Sequence, residues 1–455
     1  MTATVPRGVK FPVSKAESRM GSVSAAITAL VALSLIASWL SALLPIENSV
    51  TVTDAEGKFV LIEVKTPLYY IAHSIEIGAA IGAGVLAALT GRFAKVSPGA
   101  RVALAVLFIT ATAWAIQAYG ADEILSSNIF GVTGPFVWFA LVLIFAGADR
   151  RIWSYVDPVI RALAYASSIL AVRALLTSDY GYYNGFSKYI LYAILLMWLG
   201  GWTLLTATRL RGWRLVVRVI PFLALILMAV CSQSRSWLIM SFLLGVIFIW
   251  LRSRETASAL SGMRTVVVIG VLGAAAVAAL YTTMPKALDD SVSGMVNRMN
   301  DDTRSGQYRA FFAVVPVGDL LLGRGPKGTW YWRGRGEYQF FDNGYLWMLF
   351  IGGVPTLVCY FLVVVWPAIR AMTYRPRGVD AAATFLVLLF GLALTGLSTF
   401  TIPSISLSSF LTLLWAGRCH LFLSEHARPE YMRAQRLGYQ VPRLWGRVYQ
   451  SQEVS

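Results

Sequence analysis

The amino-acid sequence predicts an all-α polytopic membrane protein with about twelve transmembrane helices and one long outer loop bearing short helices. Hydrophobic residues make up 57% of the chain and charged residues only 14%, and the mean hydropathy is +0.64. This composition excludes an ordinary soluble domain. Apolar runs of roughly 18 to 24 residues, bounded by charges, Gly or Pro, are long enough for a helix to cross a bilayer. Residues 1–455 are therefore predicted to form a single integral membrane domain.

The apolar runs predict where the chain crosses the membrane. Spans are expected at residues 22–44, 67–90, 102–119, 131–148, 156–176, 188–207, 215–231, 236–251, 265–284, 343–366, 379–400 and 405–423. An even number of spans puts both termini on one side. Connections on that side hold 23 Lys and Arg residues against 11 on the other, and positive residues are retained in the cytoplasm. Both termini are therefore predicted to be cytoplasmic, with a basic tail at residues 424–455.

The longest outer connection, residues 285–342, runs against this charge bias. It carries eight of the 11 Lys and Arg residues of the outer side, interleaved with aromatic residues. The concentration of cations therefore needs a reason other than topology. The aromatic side chains can stack on sugar faces or lie in the membrane interface. The candidates from this loop are Arg304, Arg309, Arg324 and Trp332.

Further candidates lie in shorter segments of the outer side. Residues 232–236 (SQSRS) form a connection so short that Arg235 is held at the membrane surface, where a guanidinium suits a phosphate group or serves as an interfacial anchor. Arg173 lies near the outer end of the fifth predicted span, beside an aromatic loop. Where the long loop meets the next span, the chain carries Asp342, Asn343 and Tyr345.

The order of these motifs resembles that of the O-antigen ligase and polymerase superfamily of membrane glycosyltransferases. Over about residues 215–366, the motifs are SQSR ending at Arg235, the arginines of the long loop, GRGPKG at residues 323–328, Asp342-Asn343 and Gly352-Gly353. The resemblance implies the bacterial inner membrane, a periplasmic site and a periplasmic position for residues 285–342. It also implies an undecaprenyl-pyrophosphate-linked oligosaccharide as donor, an acceptor glycan, and a chain-length regulator as a further partner.

The resemblance also implies residue roles. Arg235 and one or both of Arg304 and Arg309 correspond to the arginines that hold the pyrophosphate. Asp342 stands where ligases of the superfamily carry a His, which favours the polymerase branch, with a ligase as the alternative. Glycosyl transfer needs stabilisation of the leaving group's charge and a base for the acceptor hydroxyl, and Asp342 can be that base or a helix N-cap. The predicted substrate-binding residues are Arg309, Arg324, Asn343, Tyr345, Arg173 and Trp332.

Other classes of function are less well supported by the sequence. The cysteines and histidines show no ligand spacing, so no metal or cofactor is predicted. Asp289-Asp290 and Asp301-Asp302 could hold a divalent cation or simply flank an amphipathic segment. The net charge of +16 belongs to a chain that meets the lipid bilayer, and no nucleic acid is expected as a partner. A transporter of lipid-linked sugars is the competing class, although neither repeated halves nor paired broken spans are visible.

Several ionisable residues interrupt the predicted spans. Arg161 and Arg418 lie toward cytoplasmic ends, where a long side chain can reach the interface. His73 and Glu76 share one face of the second span, as a buried polar pair or as part of a cavity wall.

Overall fold

The chain folds almost entirely into helices. The computed structural model describes residues 15–44, 46–53, 59–120, 136–177, 182–183, 186–232, 234–256, 303–325, 328–332, 336–338, 343–397, 404 and 406–436. The α-helices are α1 (Lys15–Leu43), α2 (Pro67–Leu89), α3 (Pro98–Gly120), α4 (Phe136–Phe139), α5 (Leu143–Gly147), α6 (Trp153–Leu176), α7 (Lys188–Leu205), α8 (Trp213–Cys231), α9 (Arg235–Thr256), α10 (Thr303–Val314), α11 (Val317–Leu322), α12 (Gly344–Tyr360), α13 (Trp366–Thr373), α14 (Gly378–Leu392) and α15 (Leu407–Arg436). Two π-helical segments, Phe361–Val365 and Ala393–Leu397, continue α12 and α14.

The described strands form three separate antiparallel hairpins. They pair β1 (Ile46–Thr53) with β2 (Phe59–Lys65), β3 (Tyr182–Tyr183) with β4 (Phe186–Ser187), and β5 (Trp330–Trp332) with β6 (Gly336–Tyr338). The longest hairpin runs from Ile46 opposite Lys65 to Thr53 opposite Phe59. All three lie in connections predicted to be on the outer side, so the strands add to the loops and not to the bundle.

Eight of the described helical stretches are long and apolar enough to cross a membrane. They are Ser22–Leu43, Pro67–Leu89, Pro98–Ile116, Arg150–Leu176, Trp213–Cys231, Arg235–Thr256, Gly344–Thr373 and Gly378–Gly396, with Tyr189–Leu205 as a shorter apolar helix. These stretches confirm the predicted all-α polytopic membrane fold. The count of twelve is not confirmed, and the span predicted at residues 265–284 lies outside the described residues.

One predicted span is less regular in the structure. Within residues 131–148, the described residues 136–147 are helical throughout and form α4, a 3-10 segment and α5 in succession. This segment packs very closely on α15, because a Cβ atom at Gly147 would lie 2.2 Å from the Leu414 carbonyl oxygen. Such a close approach of two backbones depends on small residues, which favour helix contact in membranes.

One part of the buried core is built from tryptophans. The Trp202 ring lies between those of Trp153 and Trp415, with centroids 5.2 and 5.8 Å away. Its indole N–H donates to the Asp157 carboxylate over 2.9 Å, as a buried indole requires. These contacts join α6, α7 and α15.

One end of the bundle, called here the basic end, is held by ion pairs. Arg418 is bonded to Asp380 (Nε to Oδ1, 2.6 Å), and Arg209 to Glu255 (Nε to Oε2, 3.0 Å). The Glu255 carboxylate also accepts from the Gly378 N–H over 2.7 Å. The end of α9 and the start of α14 therefore meet here, and Arg418 has a carboxylate partner.

Ionisable side chains deeper in the spans are paired as well. Arg161 is bonded to Asp157 one turn away (Nη2 to Oδ2, 2.5 Å). His73 Nδ1 lies 2.6 Å from Glu76 Oε1, and Ser41 donates to the other carboxylate oxygen over 2.8 Å. Glu76 is fully buried. His73 and Glu76 therefore form a buried polar pair, as charge in this setting requires.

Candidate active site

The predicted site residues that the structure describes gather at the end of the bundle opposite the basic end, called here the site end. Arg235 is the first residue of α9, which is 22 residues long, so it lies about 30 Å along the helix from the basic end. Ser232 and Ser234 are buried, and the Ser234 N–H donates to the Ala229 carbonyl over 3.3 Å. This tight reversal fixes the backbone of Arg235, whose side chain is half-buried.

The pairing of α9 with α14 determines what lies beside Arg235. The helices run antiparallel, with Glu255 bonded to Gly378 at the basic end and the rings of Trp250 and Phe385 5.5 Å apart further along. Near the site end, α9 contacts the π-helical segment Ala393–Leu397. Because both helices rise about 1.5 Å per residue, Arg235 lies level with the end of that segment.

Asn343 lies against the same π-helical segment. It is the N-cap of α12, where its Oδ1 accepts from the backbone N–H groups of Tyr345 and Leu346 over 3.0 and 3.1 Å. Its Nδ2 donates to the Thr395 carbonyl over 3.1 Å. The helix is therefore capped by Asn343, and the alternative that Asp342 is the cap was wrong. Asp342 itself lies outside the described residues, one position before this cap.

Tyr345 makes a second tie between α12 and α14. Its hydroxyl donates to the Gly391 carbonyl over 2.8 Å, and the side chain is half-buried. Gly391 precedes the π-helical segment, a type of backbone irregularity that is frequent at functional sites. Asn343 and Tyr345 thus fix where the long loop enters α12.

The glycines of the long loop meet those of α12. The N–H groups of Arg324 and Gly325 donate to the Phe350 and Ile351 carbonyls, each over 2.8 Å. α12 is broken at Gly353 (φ 69°, ψ −176°), which frees these carbonyls. We call this contact of residues 323–325 with residues 350–353 the clasp.

Only glycine fits at the centre of the clasp. A Cβ atom at Gly323 would lie 2.4 Å from the Ile351 carbonyl oxygen, and one at Gly353 would lie 2.4 Å from the Leu321 carbonyl oxygen. Broken backbone at membrane depth is tolerated where protein satisfies it. Here the long loop does so, and the loop therefore lies alongside α12 about 10 Å below its first residue.

Arg324 braces the loop from within. Its Nε and Nη2 donate to Asp319 Oδ2 over 2.8 and 2.7 Å, and Nη1 donates to the Thr329 carbonyl over 2.6 Å. The guanidinium also lies 5.7 Å from the centre of the Phe350 ring. Three of its donors are thus used inside the protein, and these bonds hold the loop in place.

The loop helix α10 carries two further candidates. It packs through the fully buried Phe311, whose ring lies 5.5 Å from Trp330 and 5.7 Å from Phe350. Arg309 is exposed. It lies two residues before Phe311, so it is on a different face of the helix from that buried ring. Arg304 lies in the first turn of α10. The packing of Phe311 brings α10 onto the same part of α12 as the clasp.

The remaining predicted residues are less closely linked to this group. Arg173 is exposed in the last turn of α6, and no hydrogen bond or ion pair joins it to the other candidates within the described chain. Trp332 ends β5 opposite Gly336. The described residues contain no group of three or more His, Cys, Asp or Glu that could hold a metal, and the paired aspartates at 289–290 and 301–302 lie outside them.

Sequence reasoning missed the partners that fix these residues. Asp319 and Thr329 bind Arg324, and the carbonyls of Gly391 and Thr395 bind Tyr345 and Asn343. Asp319 lies five residues before Arg324, next to a glycine-rich turn, and this spacing could have indicated an ion pair between the two. Backbone carbonyls carry no such signal in a sequence.

The fold and the site end define a multi-pass membrane protein in which a polar loop is bonded onto a broken span beside a half-buried arginine. Residues 220–361, about a third of the chain, match the family model described as O-antigen ligase. The match supports the O-antigen polymerase and ligase superfamily and an O-antigen ligase or polymerase type of activity. The matched segment includes Arg235, α10, the clasp and Asn343. No curated protein and no solved structure matches the chain.

Proposed function

We propose that the protein polymerises an O-antigen, capsule or exopolysaccharide at the periplasmic face of the bacterial inner membrane. The donor is an oligosaccharide on undecaprenyl pyrophosphate, and the acceptor is a hydroxyl of a second glycan. In the reaction, the bond between the donor's anomeric carbon and the phosphate oxygen breaks. A bond from the acceptor oxygen to that carbon forms, the acceptor proton passes to a base, and the lipid pyrophosphate leaves.

The proposal rests on one juxtaposition at the site end. The half-buried Arg235 and the helix cap Asn343 flank the same π-helical segment, although 108 positions separate them in the chain. Both belong to the segment that matches the O-antigen ligase family model. An arginine suited to a phosphate therefore lies at the same end as the residue that follows the proposed base.

The residues take the following roles. Arg235 with Arg304 or Arg309 stabilises the negative charge that develops on the leaving pyrophosphate, as preorganised donors do. Asp342 accepts the hydroxyl proton. Arg173 and Trp332 contact the glycan, whereas Arg324, Asn343 and Tyr345 position the loop. Two or three arginines facing the pyrophosphate make the reaction independent of a metal ion.

Single substitutions test these roles in cells. Arg235→Ala and Asp342→Asn are expected to lower the yield of long polymer by about a hundredfold or more, the usual cost of losing charge stabilisation or a base. Arg150→Ala is the control, because Arg150 lies at the basic end with a side chain 72% exposed. Long polymer at normal levels in a correctly inserted Asp342→Asn protein would show that Asp342 is not the base.

A ligase is the second candidate, favoured by the description of the matching family itself. The two activities differ in what an inactive variant accumulates. A polymerase variant such as Arg235→Ala leaves single repeat units on the acceptor, and a ligase variant leaves long chains on undecaprenyl pyrophosphate. Accumulation of lipid-linked long chains would therefore replace the polymerase assignment with that of a ligase.

A transporter is the candidate from another class. Spans broken in the middle often bind substrate in transporters, and α12 is broken at Gly353. However, the carbonyls freed by the break are occupied by the clasp, which favours the enzyme. Purified protein given donor and acceptor in detergent is expected to elongate the glycan, with and without EDTA. Absence of elongation under both conditions would favour the transporter. Elongation that occurs without EDTA and is lost when EDTA is added would overturn the metal-free reaction.

A further inference from the structure

A second group of cations lies at the basic end, far from the candidate site. Its five members are all exposed and come from two regions that are distant in sequence. One is the connection between α7 and α8 together with the first turn of α8, and the other is the connection between α13 and α14. We call this group the arginine platform. It consists of Arg209, Arg211, Arg214, Arg375 and Arg377.

The last turn of α9 holds the two connections in place. On one side, Arg252 Nη1 donates to the carbonyls of Thr208 and Leu210 over 2.9 and 2.7 Å. On the other side, Arg254 Nη2 donates to the Pro376 carbonyl over 2.9 Å and to the Arg375 carbonyl. Hydrogen bonds from one helix end therefore preorganise both halves of the platform, which lowers the entropy lost when a ligand binds.

Glu255 joins the two halves directly. Its Oε2 accepts from Thr208 Oγ1 over 2.7 Å, and its Oε1 accepts from the Gly378 N–H over 2.7 Å. The Glu255 side chain is only 1% exposed. A buried carboxylate with this many donors fixes the spacing between the loops.

The platform also contains a strained residue. Arg375 has φ 51° and is the one non-glycine residue with positive φ in the described chain. Such a conformation persists only where the surroundings hold it, and it recurs at ligand clamps. The bonds from Arg254 to the carbonyls of Arg375 and Pro376 hold it here.

The charge of the platform is not balanced within the described residues. The positive charges of Arg375 and Arg377 are close enough to repel that of Arg254. The nearby carboxylates of Glu255 and Asp380 are already bonded to Arg209 and Arg418. Arg211, Arg214, Arg375 and Arg377 make no ion pair among the residues that the structure describes. An anionic ligand would remove this repulsion.

Indole rings indicate the depth of the platform in the membrane. Trp213, between Arg211 and Arg214 in sequence, is 74% exposed, and Trp250 is 45% exposed. Exposed tryptophans on spanning helices mark the level of the lipid headgroups. Along the same face of α9, Phe242 and Val246 are also exposed and offer an apolar surface to an acyl chain.

We propose that the arginine platform binds the phosphodiester headgroup of an anionic phospholipid in the leaflet at the basic end, which is predicted to be cytoplasmic. The retention of positive residues in the cytoplasm explains the sign of this end. It does not explain a strained loop and a buried carboxylate that hold two arginine-bearing loops against one helix end. Arginine matches this ligand because its planar fork binds phosphate oxygens in pairs.

Native mass spectrometry of the protein in a neutral detergent tests the site. Phosphatidylglycerol is expected to bind more tightly than phosphatidylcholine, and Arg375→Gln/Arg377→Gln is expected to weaken its binding by about tenfold or more. Arg211→Gln/Arg214→Gln, at the start of α8 and in the connection before it, is expected to have a similar effect. The matched control is Arg150→Gln, an exposed arginine at the same end. Thermal unfolding of each variant establishes that it is folded.

Three results would overturn the proposal. The first is equal retention of phosphatidylglycerol by the Arg150→Gln protein and by both double variants. The second is displacement of the lipid by millimolar inorganic phosphate, which would indicate a site for free phosphate. The third is tighter binding of an acidic peptide than of phosphatidylglycerol, lost in the same variants, which would indicate a protein partner instead.

Discussion

Replacement of Gly353 by Ala tests whether the clasp holds the candidate site together. Gly353 has φ 69° and ψ −176°, a region of backbone space that is close to exclusive to glycine and costs other residues about 1–3 kcal/mol. The added Cβ would also lie 2.4 Å from the Leu321 carbonyl oxygen, so the loop must move away. Loss of the two backbone bonds from residues 324 and 325 costs about 0.5–1.5 kcal/mol each. Together these effects predict a destabilisation of roughly 2–6 kcal/mol.

Thermal unfolding of the purified protein in detergent measures this effect. Gly78→Ala is the matched control, because Gly78 lies in α2 with nothing within 4 Å of an added Cβ. In a helix, that change is expected to be neutral or to stabilise by up to about 1 kcal/mol. Gly353→Ala is also expected to lose polymer synthesis at temperatures where it is still folded, because the loop has left α12. A Gly353→Ala protein that unfolds at the same temperature as Gly78→Ala, with normal activity, would refute the clasp.

Substitutions also probe three other contacts, namely the Asn343 cap, the bond between Asp319 and Arg324, and the pair of His73 with Glu76. Asn343→Ala is expected to destabilise the protein by about 1 kcal/mol through loss of the cap. Asn343→Asp keeps a capping oxygen and is expected to unfold at a temperature closer to that of the wild type. Equal unfolding temperatures for the two variants would contradict the cap. Asp319→Asn is expected to reduce activity as much as Arg324→Gln, with the double variant no worse than either, as for partners in one brace. If Arg324 binds the donor instead, polymer analysis will show that Asp319→Asn retains activity. Glu76→Ala removes one partner of the buried pair with His73, which costs about 3–5 kcal/mol, and an unfolding temperature within a degree of the wild type would show that this pair contributes nothing.

Local patterns were sufficient to predict most of the spans. The span at Arg235–Thr256, for example, can be recognised in the sequence because most residues of a membrane-spanning helix must be compatible with lipid. The same reasoning did not predict the 3-10 segment at residues 140–142, which interrupts the α-helical geometry of the span predicted at residues 131–148. Composition alone could not reveal this, because the close approach of Gly147 to α15 depends on a partner more than 250 residues away.

For the candidate site, the sequence indicated which residues to consider but not what each one does. Arg324 and Asn343 were both predicted to bind substrate, which stays a prediction, and the structure shows polar groups of both side chains bonded within the protein to Asp319, Thr329 and Thr395. An arginine in a polar loop has the same local sequence signature whether it faces a ligand or a carboxylate of its own chain. Its role depends on which groups the folded loop brings within reach.

By itself, the sequence determined the class of fold, the order of the motifs and the resemblance to the O-antigen polymerase and ligase superfamily. These properties follow from hydropathy and from residue order, and both can be read directly from the sequence. Tertiary structure alone decided that the long loop docks on a broken helix, that Asn343 caps α12, and that Arg235 lies level with the same π-helical segment as that cap. These contacts are made between backbones and between distant segments, and only the packed bundle brings those groups together.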